Sequence, residues 1–159
     1  MTFWCNFCII RCYVIIREKN YHSIFCLCGV NLLAFTQTNN IRTIVLEIHN
    51  VTINSGTLHI SVSLNEASYR SRCPDLTFEF APISKVVRQE INLPMGKCVI
   101  NIYQDINNNG QADTSLFGIP KEPVGVSNWN ESGPPGNFRR HKIIIDETTT
   151  TIVINLYQL

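Results

Sequence analysis

From Arg42 onward, apolar and polar residues alternate with a period of two: Ile44, Leu46 and Ile48 are interleaved with Val45 and Glu47, then Leu58, Ile60, Val62 and Leu64 with His59, Ser61 and Ser63. Successive side chains of an extended chain point to opposite faces, so this pattern predicts half-buried strands. The same reading gives strands over Leu76–Phe80, Val86–Leu93, Lys97–Gln104, His141–Asp146 and Thr151–Tyr157, divided by Asn/Ser-Gly, Pro-Met-Gly and Asn-Asn-Gly turn signals. Nothing between them carries a helical stripe of about ten residues, which disfavours a parallel βαβ sheet. The expected fold is all-β: a seven-stranded antiparallel sandwich of immunoglobulin-like or transthyretin-like type over residues 37–159. Asn54-Ser55-Gly56 and the stretch from Asp146 to Thr150 are short enough to predict hairpins whose flanking strands pair directly.

The pattern is different before residue 37. Arg17-Glu18-Lys19 precedes Ile24-Phe25-Cys26-Leu27-Cys28-Gly29-Val30-Asn31-Leu32-Leu33-Ala34-Phe35, the charged-then-apolar order of a signal peptide, with Ala34 and Thr36 as small residues before a cleavage near Gln37. Residues 1–36 are therefore expected to be an export segment, and the product to be periplasmic, envelope-associated or extracellular. No lipid-attachment arrangement precedes Cys26 or Cys28. A second apolar run over residues 3–16 is broken by Asn6, Arg11 and Cys12 and is too short for a span of about 20 residues. It lies upstream of the true start, forms a hairpin anchor with the second run, or packs as a helix on the domain. No stable membrane span is expected in the mature domain.

Charge narrows the partner classes. The chain has 13 Lys/Arg and 12 Asp/Glu; removing Arg11, Arg17, Lys19 and Glu18 with the leader leaves 10 against 11, a net −1. With no Lys/Arg run, nucleic acid is not an expected partner, because phosphate binding needs clustered cations. Five of seven cysteines lie in the first 28 residues. Cys5, Cys8 and Cys12 are not followed by a His or Cys pair at zinc spacing. Cys73 and Cys98 remain as a disulfide candidate, worth roughly 3 kcal/mol through loop entropy in an oxidising compartment. The alternative makes Cys98 a small buried apolar residue, with Cys73 on a loop.

One segment carries chemistry. Asp105-Ile106-Asn107-Asn108-Asn109-Gly110-Gln111-Ala112-Asp113 puts side-chain oxygens at relative positions 1, 3, 5 and 9 and Gly at 6. A hard cation such as Ca²⁺ takes six to eight oxygens, and alternate Asp/Asn residues on a tight turn aim theirs inward. Gln111 offers its main-chain carbonyl, and Glu122 closes the shell from the same long loop. Position 12 is Leu116 rather than Glu, so weak binding is expected. The competing reading is an Asx turn in which Asp105 and Asn107 bond nearby amides.

This turn opens a stretch, Asp105 to Arg140, with four of the chain's seven prolines and no clear strand. Ser127, Asn128 and Trp129 within it are binding candidates for a cell-envelope or extracellular ligand. They serve as an extension of the cation turn, or as caps for loop amides with Trp129 folded inward as a pin. Catalysis is not expected. His49, His59 and His141 read as strand-surface residues, and Ser132-Gly133 lacks the frame of a nucleophile elbow. The alternative to a binding module is a structural envelope domain with no ligand.

The run Asp105-x-Asn-x-Asn-Gly-x-x-Asp113, then Phe117-Gly-Ile-Pro-Lys-Glu122-Pro-Val-Gly-Val-Ser-Asn128 and Gly133-Pro-Pro135, resembles the bacterial family called domain of unknown function 2141. The resemblance covers about Thr43 to the end. It departs at Val126, where family members commonly carry an aromatic residue, and at Gly136-Asn137, which separates the proline pair from Phe138. It implies a small exported β-sandwich of unassigned role, with no catalytic residues to transfer.

Overall fold

A computed structural model describes residues 40–116, 119–131, 133 and 135–159. The export segment, its cleavage near Gln37, Cys5, Cys8 and Cys12, and the motif positions Phe117, Gly118 and Pro134 lie outside the described residues. Eight strands form: β1 (Ile41–His49), β2 (Thr57–Ser63), β3 (Leu76–Phe80), β4 (Val86–Pro94), β5 (Gly96–Asp105), β6 (Val124–Val126), β7 (Ile143–Ile145) and β8 (Thr151–Asn155). Two short helices, α1 (Glu66–Ser71) and α2 (Phe138–His141), interrupt them.

The strands make two sheets. One has the order β4-β1-β8; the other runs β3-β2-β5-β6, with β7 also paired to β5. Alternation places Ile44, Leu46 and Ile48 of β1, Val87, Ile91 and Leu93 of β4, and Ile154 of β8 on one inner face. They share a single core with Leu58, Ile60 and Val62 of β2 and Cys98, Ile100 and Ile102 of β5. Full burial of each such side chain contributes about 1.5–3 kcal/mol, so the inner faces hold the two layers together.

The all-β expectation holds, but three of its details need correction. There are eight strands rather than seven, because Val124–Val126 in the long loop pairs with β5 at Asn101–Tyr103. The architecture is not wholly antiparallel, since β8 runs parallel to β1 in the register Val45↔Thr151 to His49↔Asn155. Neither predicted hairpin forms. β1 pairs with β4 and β8, while β2 pairs with β3 and β5, so the 50–56 turn is a corner between sheets. Val51 drops into the core there, its N–H donating to Lys85 O, and the buried Gln104 side chain reaches across to hold the turn. Asp146 to Thr150 likewise carries the chain from β7, on β5, to β8, on β1. The Asp146 carboxylate accepts the Thr148 and Thr149 amides and hydroxyls, which holds its pKa below the usual carboxylate range.

The helices have local causes. The Asn65 side chain caps α1 by accepting the N–H groups of Ala67 and Ser68, and Arg72 ends it in the left-handed region at φ 56°. At six residues, the helix is too short to show a periodic stripe. His141, expected to begin a strand, instead closes α2 and is buried, with β7 starting at Ile143.

No disulfide joins Cys73 and Cys98, and the second of the two cysteine readings describes the geometry. Cys73 is exposed in the turn after α1, whereas Cys98 is 1% exposed within the core. Burial pushes the Cys98 thiol up to about 11, which suppresses the reactive thiolate at neutral pH. Iodoacetamide treatment of the native protein, mapped by peptide mass spectrometry, should leave Cys98 unmodified until denaturant is added. Native-state alkylation of Cys98 would contradict its packing.

Candidate functional site

The outer face of the β2–β5 sheet positions the site. Ile60, Val62, Ile100 and Ile102 face the core, so His59 and Ser61 of β2 and Asn101, Tyr103 and Asp105 of β5 face the other way. Cross-strand register sets His59 opposite Tyr103 and Ser61 opposite Asn101. The His59 and Tyr103 rings stack at 4.8 Å with planes 13° apart. His59 lies between two carboxylates, with Nδ1 at 3.3 Å from Glu79 Oε1 and Nε2 at 3.7 Å from Asp105 Oδ2. The Tyr103 hydroxyl has a raised pKa, first from burial and then from the charges of Asp105, Glu122 and Glu79.

Asp105 ends β5 and is only 1% exposed. Its two oxygens accept the N–H groups of Asn109, at 3.2 Å, and Gly110, at 2.7 Å. Those bonds bend the turn back onto the strand end, with Asn108 at φ 55° and Gly110 at φ 73° supplying the left-handed residues. Asn107 Nδ2 donates to Asp113 Oδ2 at 2.8 Å, and Asn109 Nδ2 donates to both Asp113 oxygens at 3.2 Å. Glu122, 5% exposed, reaches in from the far side: Oε1 accepts Ile106 N–H at 2.9 Å and Oε2 accepts Asp113 N–H at 3.1 Å. Thus Asp105, Asn107, Asn109, Asp113 and Glu122 are brought together. Gln111 joins only through its N–H, donated to Asn109 Oδ1 at 2.8 Å.

Asx-type bonds are present at Asp105, Asn107 and Asn109. Each oxygen of Asp105 and Glu122 nevertheless carries a single amide hydrogen, which leaves a lone pair on each for a further partner. No Lys or Arg among the described residues forms an ion pair with Asp105, Asp113 or Glu122. No three His, Cys, Asp or Glu side chains of the described residues group as a ready ligand set. The carboxylates of Asp105, Asp113 and Glu122 and the carboxamides of Asn107 and Asn109 thus share one turn, in which both Asn side chains donate to Asp113 and accept main-chain N–H groups.

The other candidates lie elsewhere. Ser127 is buried, its hydroxyl donating to His141 O at 2.7 Å and accepting Ile100 N–H at 3.1 Å. Asn128, at φ 53°, donates its side-chain amide to Lys142 O. Trp129 is 7% exposed and folded inward beside Val99, Val126 and Phe138, its indole N–H donating to Gly133 O. Of the readings of Trp129, the inward one describes the geometry: the indole pins the loop, and Ser127 ties that loop to β5. The surface reading of His141 is corrected. Its Nε2 accepts Gly136 N–H at 2.7 Å, and Nδ1 lies 3.2 Å from Ser127 O, so the ring stitches two loop segments together. The long loop thus packs its own small core on the outer face of β5.

Sequence reading missed His59, Tyr103 and Gln104 as neighbours of the turn. The only signal for the first two was their odd-numbered phase within β2 and β5, which places them on the outer face once the strands are known to pair. The described residues hold no helix long and apolar enough to cross a membrane. A family model described as an uncharacterized protein conserved in bacteria (DUF2141) matches residues 46–153, from within β1 to within β8. Neither the curated proteins nor the solved structures contain a match to the chain.

Proposed function

The chain belongs to the DUF2141 family of bacterial proteins, and from that premise we propose that it is an exported binding module whose Asp105–Asp113 turn takes up Ca²⁺. The observation that carries this reading is the pair of carboxylates of Asp105 and Glu122, 1% and 5% exposed, beside Asp113 and without a Lys or Arg partner. Grouping carboxylates away from water is costly, and a divalent cation would relieve it beyond what His59, 3.7 Å from Asp105 Oδ2, supplies. Export is proposed from the order of Arg17–Lys19 and Ile24–Phe35. A binder rather than a catalyst is supported by His141, whose ring nitrogens are engaged by main-chain groups. The inward-folded Trp129 is the observation that favours the second reading, a ligand-free structural domain of the envelope.

Calorimetric titration of the chain with Ca²⁺ separates the two readings. Saturable binding is expected with a dissociation constant of about 10⁻⁴–10⁻³ M, the range of extracellular modules. Asp113→Asn, nearly isosteric, removes one charge and should abolish the heat; without metal it should lower the thermal midpoint slightly, because its new NH2 faces the amide donors of Asn107 and Asn109. Absence of binding by the wild type, or identical heats for the variant, would refute the calcium reading.

A further inference from the structure

A second site lies on the same outer face, four residues back along β5 from Asp105, about 13 Å at the usual rise of a strand. Ser61 and Asn101 form the floor of a cleft of about 600 Å³, within the size range of small-ligand sites. Tyr69 of α1 and Phe138 of α2 wall it, packed edge to face with ring centres 6.0 Å apart. The Tyr69 hydroxyl is committed to Gly136 O at 3.1 Å, which fixes the ring against the loop. Arg70 and Arg72 stand at the rim.

The polar groups of this cleft are available for a ligand. Neither the Ser61 hydroxyl nor the Asn101 carboxamide makes a side-chain hydrogen bond within the described residues, although both residues are half-buried. Arg70 pairs with Glu66 at 2.7 Å, while Arg72 has no ion pair among the described residues. The cleft is therefore locally positive in a domain of net charge −1, and it sits opposite in sign to the Asp105, Glu122 and Glu79 end of the same face.

We infer that this cleft binds an acidic sugar unit. Guanidinium groups at the rim match a carboxylate in charge and fork geometry. The amide and hydroxyl of the floor match ring hydroxyls, and the partly exposed Tyr69 ring, backed by the buried Phe138, matches the apolar face of a pyranose. A bare oxyanion uses only the rim, and a neutral sugar uses only the floor; an acidic sugar uses both. The inference deepens the binding-module reading but shares no residue with the Ca²⁺ turn, so each stands or falls separately.

The test is titration of the full chain with D-glucuronate, D-glucose and inorganic phosphate, followed by the amide NMR signals of Gly136 and the Asn101 side chain. Glucuronate should shift both signals saturably, and glucose should bind about ten-fold more weakly, as loss of a charge-assisted hydrogen bond implies. A polyuronate chain shifting the same signals at lower sugar concentration would place the unit within a polymer, whereas equal response per sugar would assign the free monosaccharide. Arg70→Gln combined with Arg72→Gln should weaken glucuronate about ten-fold on the same ground. Asn101→Asp, nearly isosteric, should weaken it by setting a carboxylate against the ligand's own. The Asn109 and Gly110 amides should stay still throughout, since they report the cation turn. The inference is overturned by unsaturable shifts, by undiminished affinity in the arginine variant, or by phosphate moving the Asn101 side chain as far as glucuronate does.

Discussion

Replacing Gly56 by Ala should destabilise the domain by about 2–4 kcal/mol, the sum of a left-handed backbone cost and an overpacking cost. Gly56 has φ +69°, a region where an L side chain is strained. A Cβ built there would stand 1.7 Å from Asp105 O, 2.5 Å from Asp105 C and 2.7 Å from Ile106 Cα. All three neighbours are main chain, so no rotamer change relieves the clash. Either the corner between β1 and β2 or the end of β5 must move, and both are tied down: Thr57 pairs with Asp105 in the ladder, and Glu122 accepts Ile106 N–H.

The matched control is Gly110→Ala. Gly110 has φ +73°, nearly the same backbone strain, but a methyl group there would meet nothing within 4 Å. It should therefore lose only about 1 kcal/mol, the conformational share. Urea unfolding with unchanged slope would report the difference as a shift of midpoint. Equal losses for the two variants would show that the approach of Gly56 to β5 carries no energetic weight. A large loss at Gly56 alone would also couple this corner to the cation turn, because Asp105 is both the obstructed residue and the first ligand candidate.

The contrast between the two glycines also shows where sequence reading stops. Alternation located β1, β2, β3, β4, β5 and β8 to within a few residues, with Leu76–Phe80 matching to the residue. It did so because period two reports which face of a strand is buried, a local property. It does not report which sheet a strand joins. Gly56 looked like a hairpin glycine, yet its positive φ serves a corner that sends β2 to the opposite layer. The parallel β1/β8 pair leaves no local signature at all, and β6, at three residues with a central Gly125, is too short to alternate visibly.

The candidate site was legible in proportion to its contiguity. Asp105 to Asp113 is a single run, and Glu122 follows it closely, so spacing sufficed to group them. The direction of their hydrogen bonds was not readable, because it depends on a turn closed by Asn108 and Gly110 in left-handed geometry. His59 and Tyr103 reach the turn only through the β2–β5 register, across a separation that no motif records. Val99 and His141 were obscured for another reason: the long loop folds back over the outer face of β5 and buries both, which turns a nominally exposed phase into a second core.

Gln104 is the residue on which these levels meet, and its replacement by Met should cost about 2–4 kcal/mol despite nearly equal volume. The side chain is 0% exposed. Its Nε2 donates to Thr52 O at 2.6 Å and Ser55 O at 2.7 Å, and its Oε1 accepts Thr52 N–H at 2.9 Å. One carboxamide thus replaces, for the corner between sheets, the ladder bonds that a hairpin would have made for itself. Methionine fills the space and satisfies none of the three main-chain groups; each buried group left unpaired costs roughly 1–3 kcal/mol, reduced here because Thr52 borders solvent. If packing were the whole role of Gln104, Met would be tolerated within about 1.5 kcal/mol. Gln104→Glu separates donor from acceptor: it keeps an oxygen for Thr52 N–H but sets a second oxygen against two carbonyls, so it should be at least as damaging as Met. Denaturant midpoints give the energies, and hydrogen exchange at the Thr52 amide localises them, since that proton should lose protection in Gln104→Met and lose less in Gln104→Glu. A Met variant as stable as the wild type, with Thr52 still protected, would mean that the corner holds itself and that the cross-sheet clamp is incidental.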